Sequence, residues 1–172
     1  NLNLVLQITE TQRRCVLCLN FISEAERKGI RVNTERLSEL LNIPVIPIEA
    51  HGKRDAMRIL SYITEHKDGE YPPPVAPTYP EPIERALEII CASMPERYIK
   101  NRLARWLSLR LLDAEGDFLT ELTEDFTDSE RAMLLSAKAD ASGLLLSLGI
   151  SESEIGDIIV ESIVSAAEQI SK

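Results

Sequence analysis

Apolar positions fall along this chain in two rhythms, separated by a run of prolines. Leu2, Val5, Leu6 and Ile8 recur at helical spacing and predict a helix over 2–11. RCVLCLN (14–20) is short and almost continuously apolar, the pattern of a strand covered on both faces. SEAERKG (23–29) reads as a charged helical turn closed by Gly29. NTERLSELLNI (33–43) is amphipathic, with Asn33 or Thr34 as N-cap and Leu37, Leu40 and Leu41 inward. PVIPIEA (44–50) is a second strand, in which Pro47 predicts an edge position or a missing ladder bond. A further helix is expected over 53–67, with Ala56, Ile59, Leu60 and Ile63 inward. Strand, helix, strand, helix with short links is the order of an α/β domain with a parallel sheet.

The rhythm then breaks. GEYPPPVAPTYPEP (69–82) is too rich in proline for a helix interior and predicts a stiff, extended connection. Beyond it the spacing is helical throughout. Pro82 opens a helix over 83–94, and a long one is expected over 96–114, with Ile99, Leu103, Trp106, Leu107 and Leu111 on one side. A short helix fits 116–123. Thr127-x-x-Glu130 and Ser151-x-x-Glu154 are capping boxes for two last helices, the first ending at Gly149 and the second near Ile170. The expected organisation is an α/β part over 1–68, a proline-rich linker over 69–82 and a bundle of roughly five helices over 83–172.

Composition narrows the function classes. A net charge of −9 argues against a general nucleic-acid binder. No apolar run approaches the roughly 20 residues that cross a bilayer. The start lacks an initiator Met and a basic segment ahead of its apolar part, so the chain is expected to begin inside a larger protein. Cys15, Cys18 and Cys91 are an odd, sparse set that fits a reducing compartment. Cys15-x-x-Cys18 lies in a strand-like run, where positions i and i+3 face opposite sides, and no second pair exists for zinc. His51 and His66 stand apart from any metal-ligand spacing. Lys100, Arg102, Arg105 and Arg110 after Arg97 form a basic cluster, read as a solvated helix face or as a surface for anionic lipid or an acidic partner. Trp106 is most simply core, and no catalytic triad can be assembled.

Candidate chemistry gathers at the strand exits, because ligands of open parallel sheets bind outside the carboxyl ends of the strands. The first strand delivers Asn20, Phe21, Ile22 and Ser23. The second delivers Glu49, Ala50, His51 and Gly52. Taken alone, Asn20 and Ser23 read first as turn and helix-cap residues.

The order of the pieces resembles the ferrous-iron transport protein B (FeoB) family. Its pattern is met by Asn20, Lys28-Gly29-Ile30, Leu37-Ser38-Glu39-Leu40-Leu41 and Pro44-Val45-Ile46-Pro47, and RWLSLRLLDAEGD (105–117) is similar to the signature of its helical domain. The resemblance implies an α/β plus all-α chain: a partial parallel-sheet G-protein domain of the P-loop NTPase type, followed by a helical bundle. It also implies a cytosolic portion at the inner membrane, GTP or GDP as ligand, a downstream transmembrane iron-transport domain as partner, and a helical domain that couples nucleotide state to Fe(II) uptake. Asn20 would belong to the guanine-recognition motif. Glu49 and Ala50, with His51 beside them, would form the loop behind the base. Ser23 stands where the family has Asp, and Glu49 where it has Ser. A carboxylate accepts two N–H donors of guanine, and each donor left unpaired in a buried site costs about 1–3 kcal/mol. Ser23→Asp is therefore expected to raise the preference for GDP over ADP. No Gly-x-x-x-x-Gly-Lys-Ser/Thr stretch is present, so these residues alone are not expected to hold Mg²⁺ and phosphates or to hydrolyse GTP. A different reading stays open, that of a non-catalytic relative acting as an adaptor. The unpaired sheet edge also leaves a homo-oligomer in view.

Overall fold

The computed structural model describes residues 2–49, 53–66 and 72–172. It divides into two compact units, one formed by residues up to Thr11 together with Ala76–Lys172, the other by Gln12–Val75.

In the Gln12–Val75 unit, β1 (Leu17–Asn20) and β2 (Val45–Ile48) pair in parallel, with Leu17 opposite Val45 and Asn20 opposite Ile48. The connection runs through α2 (Ile22–Arg27) and α3 (Thr34–Leu41). Phe21, at φ 61, turns the chain out of β1 in the left-handed region. Gly29, at φ 78, ends α2: its own N–H donates to Glu26 O and that of Ile30 to Ala25 O, which satisfies two carbonyls of the last turn. The Asn33 side chain caps α3 by accepting from the Arg36 N–H at 2.9 Å, as expected. Leu41 and Ile43 are the buried anchors here. The strands are half-buried rather than covered on both faces, because a sheet of two described strands has too few neighbours to enclose it. The same shortage corrects the inward face expected for α4 (Lys53–His66). Of the four expected inward residues, Ala56, Leu60 and Ile63 are exposed and only Ile59 is half-buried.

The proline-rich run is not a free linker over its described part. Pro73 and Pro74 accept hydrogen bonds from the Asn42 and Gln12 side chains, and the Val75 N–H donates to Leu41 O. Pro74, Pro77 and Tyr79 are buried. The boundary between units lies at 75/76, inside the predicted linker.

The other unit holds α1 (Leu2–Thr9), α5 (Glu81–Ala92), α6 (Glu96–Lys100), α7 (Ala104–Asp113), α8 (Gly116–Leu122), α9 (Asp128–Ser147) and α10 (Glu152–Ile170). Two expectations are corrected here. Residues 2–11 group with the helical unit, not the α/β part, because α1 packs on α10 and buries Leu6. The helix expected over 96–114 is two helices. Arg102 adopts φ 59, its N–H donates to Ile99 O, and that of Leu103 donates to Tyr98 O, which closes α6 with a left-handed C-cap. Ile99 is exposed as a result. α7 is the central helix, burying Leu107, Ser108, Leu109, Leu111 and Leu112. α5 packs on α7 and α9 through Ile83, Ala86, Leu87 and Ile90. α9 buries Leu134, Ala137, Ala141 and Leu145, and α10 buries Ile155, Ile159, Ile163 and Ala167, each at helical spacing. Both predicted capping boxes are formed. Lys138 reaches back from α9 to donate to the carbonyls of Leu111, Leu112 and Ala114 and so caps α7.

A buried ionic cluster closes this unit. Glu10, 1% exposed, accepts from the Tyr79 hydroxyl through Oε2. Its Oε1 has no hydrogen bond and lies 3.6 Å from the Arg105 guanidinium. Arg105 grips Glu84 with a two-pronged contact at 2.6 and 2.9 Å, donates to Pro77 O and covers the Tyr79 ring. Burial pushes the Glu10 carboxyl up and the Tyr79 hydroxyl up. Burial also acts upward on Glu84, but the Arg105 and Tyr79 hydrogen bonds overcome it and hold that carboxyl low.

Candidate functional site: the two strand exits

Parallel pairing sets Asn20 opposite Ile48, so the residues after each strand leave the sheet side by side. Asn20 Oδ1 accepts the Phe21 N–H at 2.8 Å, which fixes the sharp left-handed exit. The side-chain nitrogen of Asn20 takes no part in that bond. Phe21 gives α2 no side-chain cap. The cap comes from the other loop: Glu49 Oε1 accepts the Ser23 N–H at 2.7 Å and the Ser23 hydroxyl at 2.5 Å. The Ser23 hydroxyl first, then its N–H, hold the Glu49 carboxyl below the usual range, so it is ionised at neutral pH. Glu49 is itself placed by its N–H, which donates to Asp55 Oδ2 at 3.0 Å. Arg58 steadies Asp55 and donates to Pro47 O.

The structure thus brings Asn20, Ser23 and Glu49 to one edge of the sheet, while Ala50 and His51 lie outside the described residues. Glu24, next to Ser23, turns away and pairs with Lys28 at 2.7 Å. Asp55 went unnoticed in the sequence, where it was simply an acidic residue in a helix's first turn. The Ser23–Glu49 contact also went unnoticed, because it joins residues 26 positions apart.

Other candidates resolve differently. Three of the five cations in the basic cluster are paired within the unit. Arg97 pairs with Glu130, Lys100 with Glu96, and Arg105 with Glu84 and Glu10. The Arg97 contact draws the Glu130 carboxyl down to about 2. Cys15, Cys18 and Cys91 are free thiols, and burial pushes the Cys15 thiol up, away from the thiolate that redox chemistry needs. Among the described residues no three His, Cys, Asp or Glu side chains gather as a metal site, and no single helix is long and apolar enough to cross a membrane.

Comparison with known proteins agrees with this layout. Residues 1–63 match the family model described as ferrous iron transport protein B, and residues 79–172 match that of the FeoB cytosolic helical domain. The chain is 32% identical over 117 residues to the Fe(2+) transporter FeoB of Escherichia coli K12, covering 68% of this chain and 14% of that protein. It is 39% identical over 57 residues to the Fe(2+) transporter FeoB of Helicobacter pylori 26695, covering 33% of this chain and 9% of that one. The crystal structure of NFeoB from S. thermophilus bound to GDP.AlF4- and K+ superimposes with a TM-score of 0.69 at 20% identity, covering 99% of this chain and 63% of that one. The mGMPPNP-bound form of that protein gives 0.68 at 19% identity, covering 97% and 59%. The chain therefore spans a small part of its curated relatives and under two thirds of these solved chains. The fold is a partial G domain joined to a helical domain. With one model matched over 1–63 and a second over 79–172, the chain belongs to the ferrous iron transport protein B family.

Proposed function

We propose that this chain is part of the cytosolic portion of a ferrous-iron transporter, at the cytoplasmic face of the membrane. In this reading the strand exits receive the base of GTP or GDP, and the helical unit couples nucleotide occupancy to Fe(II) passage through a downstream membrane domain. The observation that supports it most is the convergence of Asn20 and Glu49 at neighbouring carboxyl ends of a parallel sheet, tied by Ser23. Asn20 contributes a side-chain amide beside the base. Ser23 and Glu49 contribute the polar edge that a purine would meet, and Ala50 and His51 complete the loop behind it. Each N–H donor of the base that finds an acceptor here avoids an unpaired-donor cost of about 1–3 kcal/mol. The phosphates and Mg²⁺ would be held by residues outside this chain, and no hydrolytic step is assigned to it.

The test is a chimera of the Escherichia coli relative carrying this chain in place of the stretch it matches. In cells lacking their own Fe(II) uptake, the chimera should restore uptake, and Asn20→Ala within it should lower uptake and GDP affinity together. A chimera present in the membrane at the parent's level, binding GDP but importing no iron, would overturn the transport reading. The adaptor reading would then take its place.

A further inference from the structure

Resting on the reading that a purine base binds at the strand exits, we propose that Glu49 is the residue that selects guanine there. It delivers from the β2 loop the carboxylate that α2 lacks.

Ser23 offers at most one neutral acceptor oxygen, where two adjacent donors need two. Its hydroxyl donates to Glu49 Oε1, and so does its backbone N–H. Both bonds end on the same carboxylate oxygen, and neither uses Oε2. A carboxylate has four lone-pair positions and no donor. The Watson–Crick edge of guanine presents two adjacent donors, the ring N1–H and the 2-amino group, which match two carboxylate oxygens side by side. When such an edge arrives, Oε2 takes one donor directly. The other reaches Oε1 once the Ser23 hydroxyl gives up its bond there and rotates away. The Ser23 N–H belongs to the backbone and stays, holding the carboxylate in place, while the Asp55 bond to the Glu49 N–H fixes the loop behind it. The carboxylate is charged at neutral pH, so both contacts would be charge-assisted.

The contact also accounts for both departures from the family pattern. The hydroxyl and the carboxylate stand at opposite ends of one hydrogen bond, and this chain has them the other way round. Two substitutions that look like separate losses in the sequence are one exchange in space. The same geometry reverses the expectation for Ser23→Asp. With Glu49 in place, a second carboxylate would arrive within hydrogen-bond distance of the first, and like charges so close cannot both stay ionised. Only the exchanged pair, S23D with E49S, is compatible with the site.

The full 172-residue chain would be titrated with GMP, IMP, XMP and AMP, following the amide signals of Phe21, Ser23 and Glu49 by ¹H–¹⁵N spectroscopy. IMP keeps N1–H but lacks the 2-amino group. XMP carries a carbonyl in its place. The parent should bind GMP about tenfold more tightly than IMP. E49Q keeps an acceptor for both Ser23 donors, so the tie between the loops survives. It sets an amide N–H₂ against the 2-amino group, so the GMP-over-IMP ratio should fall to about one and XMP should overtake GMP. The S23D/E49S pair should regain the GMP preference. An E49Q protein that keeps the parent's GMP-over-IMP ratio would overturn the role of Glu49, while leaving these exits as a base site. Absence of any shift at these amides with all four nucleotides would instead overturn the base-site reading on which the proposal rests.

Discussion

Arg105 is the residue whose loss should strand a buried charge in the helical unit. It is the cation nearest to Glu10, at 3.6 Å, and Glu10 is almost wholly withdrawn from water. Breaking a buried ion pair by deleting one partner typically costs about 3–5 kcal/mol, because the remaining charge has nowhere to be solvated. Arg105 and Glu84 are 30% and 29% exposed, so Glu84 can turn to water once released. The loss therefore concentrates on Glu10 and belongs at the low end, about 3 kcal/mol for Arg105→Ala. Taking about 2 kcal/mol per molar for the urea dependence, the unfolding midpoint should fall by roughly 1.5 M. The pH dependence carries the mechanism. The native Glu10 carboxyl is raised, so between the unfolded and folded values the native state holds the proton more firmly. Stability from this group is thus present at low pH and is lost as pH rises through the folded value. Removing Arg105 strengthens that trend, so the deficit should be large at pH 8 and shrink towards pH 5. Glu10→Gln on the Arg105→Ala background removes the stranded charge and should recover more than half of the loss at pH 8. Urea melts followed by circular dichroism at both pH values measure all of this. A deficit below about 1 kcal/mol, or one that Glu10→Gln does not relieve, would refute the idea that Arg105 works by neutralising Glu10.

Residues 76–172 alone should melt with lower cooperativity than the full chain, because they lack Leu6 and Glu10; a peptide of residues 1–11 added in trans should sharpen the melt and raise its midpoint. Thr127→Ala removes a formed capping box from α9 and should cost about 1 kcal/mol, read as a shift in the urea midpoint. Among the described residues the parallel sheet has only two strands, so sedimentation velocity of this chain should show association that grows with concentration; a strict monomer throughout would mean that the edges are covered.

What could be read from the sequence was local. Asn33, Thr127 and Ser151 announce their helices because a cap acts within four residues. The two strands stand out by composition, and the prolines mark where the chain passes from one unit to the other. The break after α6 stayed hidden because a left-handed C-cap usually advertises itself with Gly, and here the position is Arg102. The basic cluster looked like a surface because sequence gives charge but not partners. Arg97 finds Glu130, 33 residues on, and Arg105 finds Glu84, 21 residues back. The candidate site was half legible. Asn20 follows from the order of motifs, but the meaning of Ser23 and Glu49 depends on a contact that spacing does not encode.

The placement of α1 changes how coupling between the units should be framed. The chain enters the α/β unit after Thr11 and leaves it at Val75, so that unit is an insertion into the helical one by connectivity. Both crossings are tied. On the α/β side, Gln12 donates to Pro74 O; on the helical side, Tyr79 donates to Glu10. Each bond joins the outgoing chain to the returning chain within its own unit. Energetic coupling requires an element that both sites bias, and linkage makes that bias reciprocal. The bond between Glu10 and Tyr79 differs from the exposed surface pairs of this chain. Their bond is buried, it shares Arg105 with Glu84, and one Glu10 oxygen is left without a hydrogen bond. A buried acceptor in that state is costly in this arrangement and could be satisfied in another.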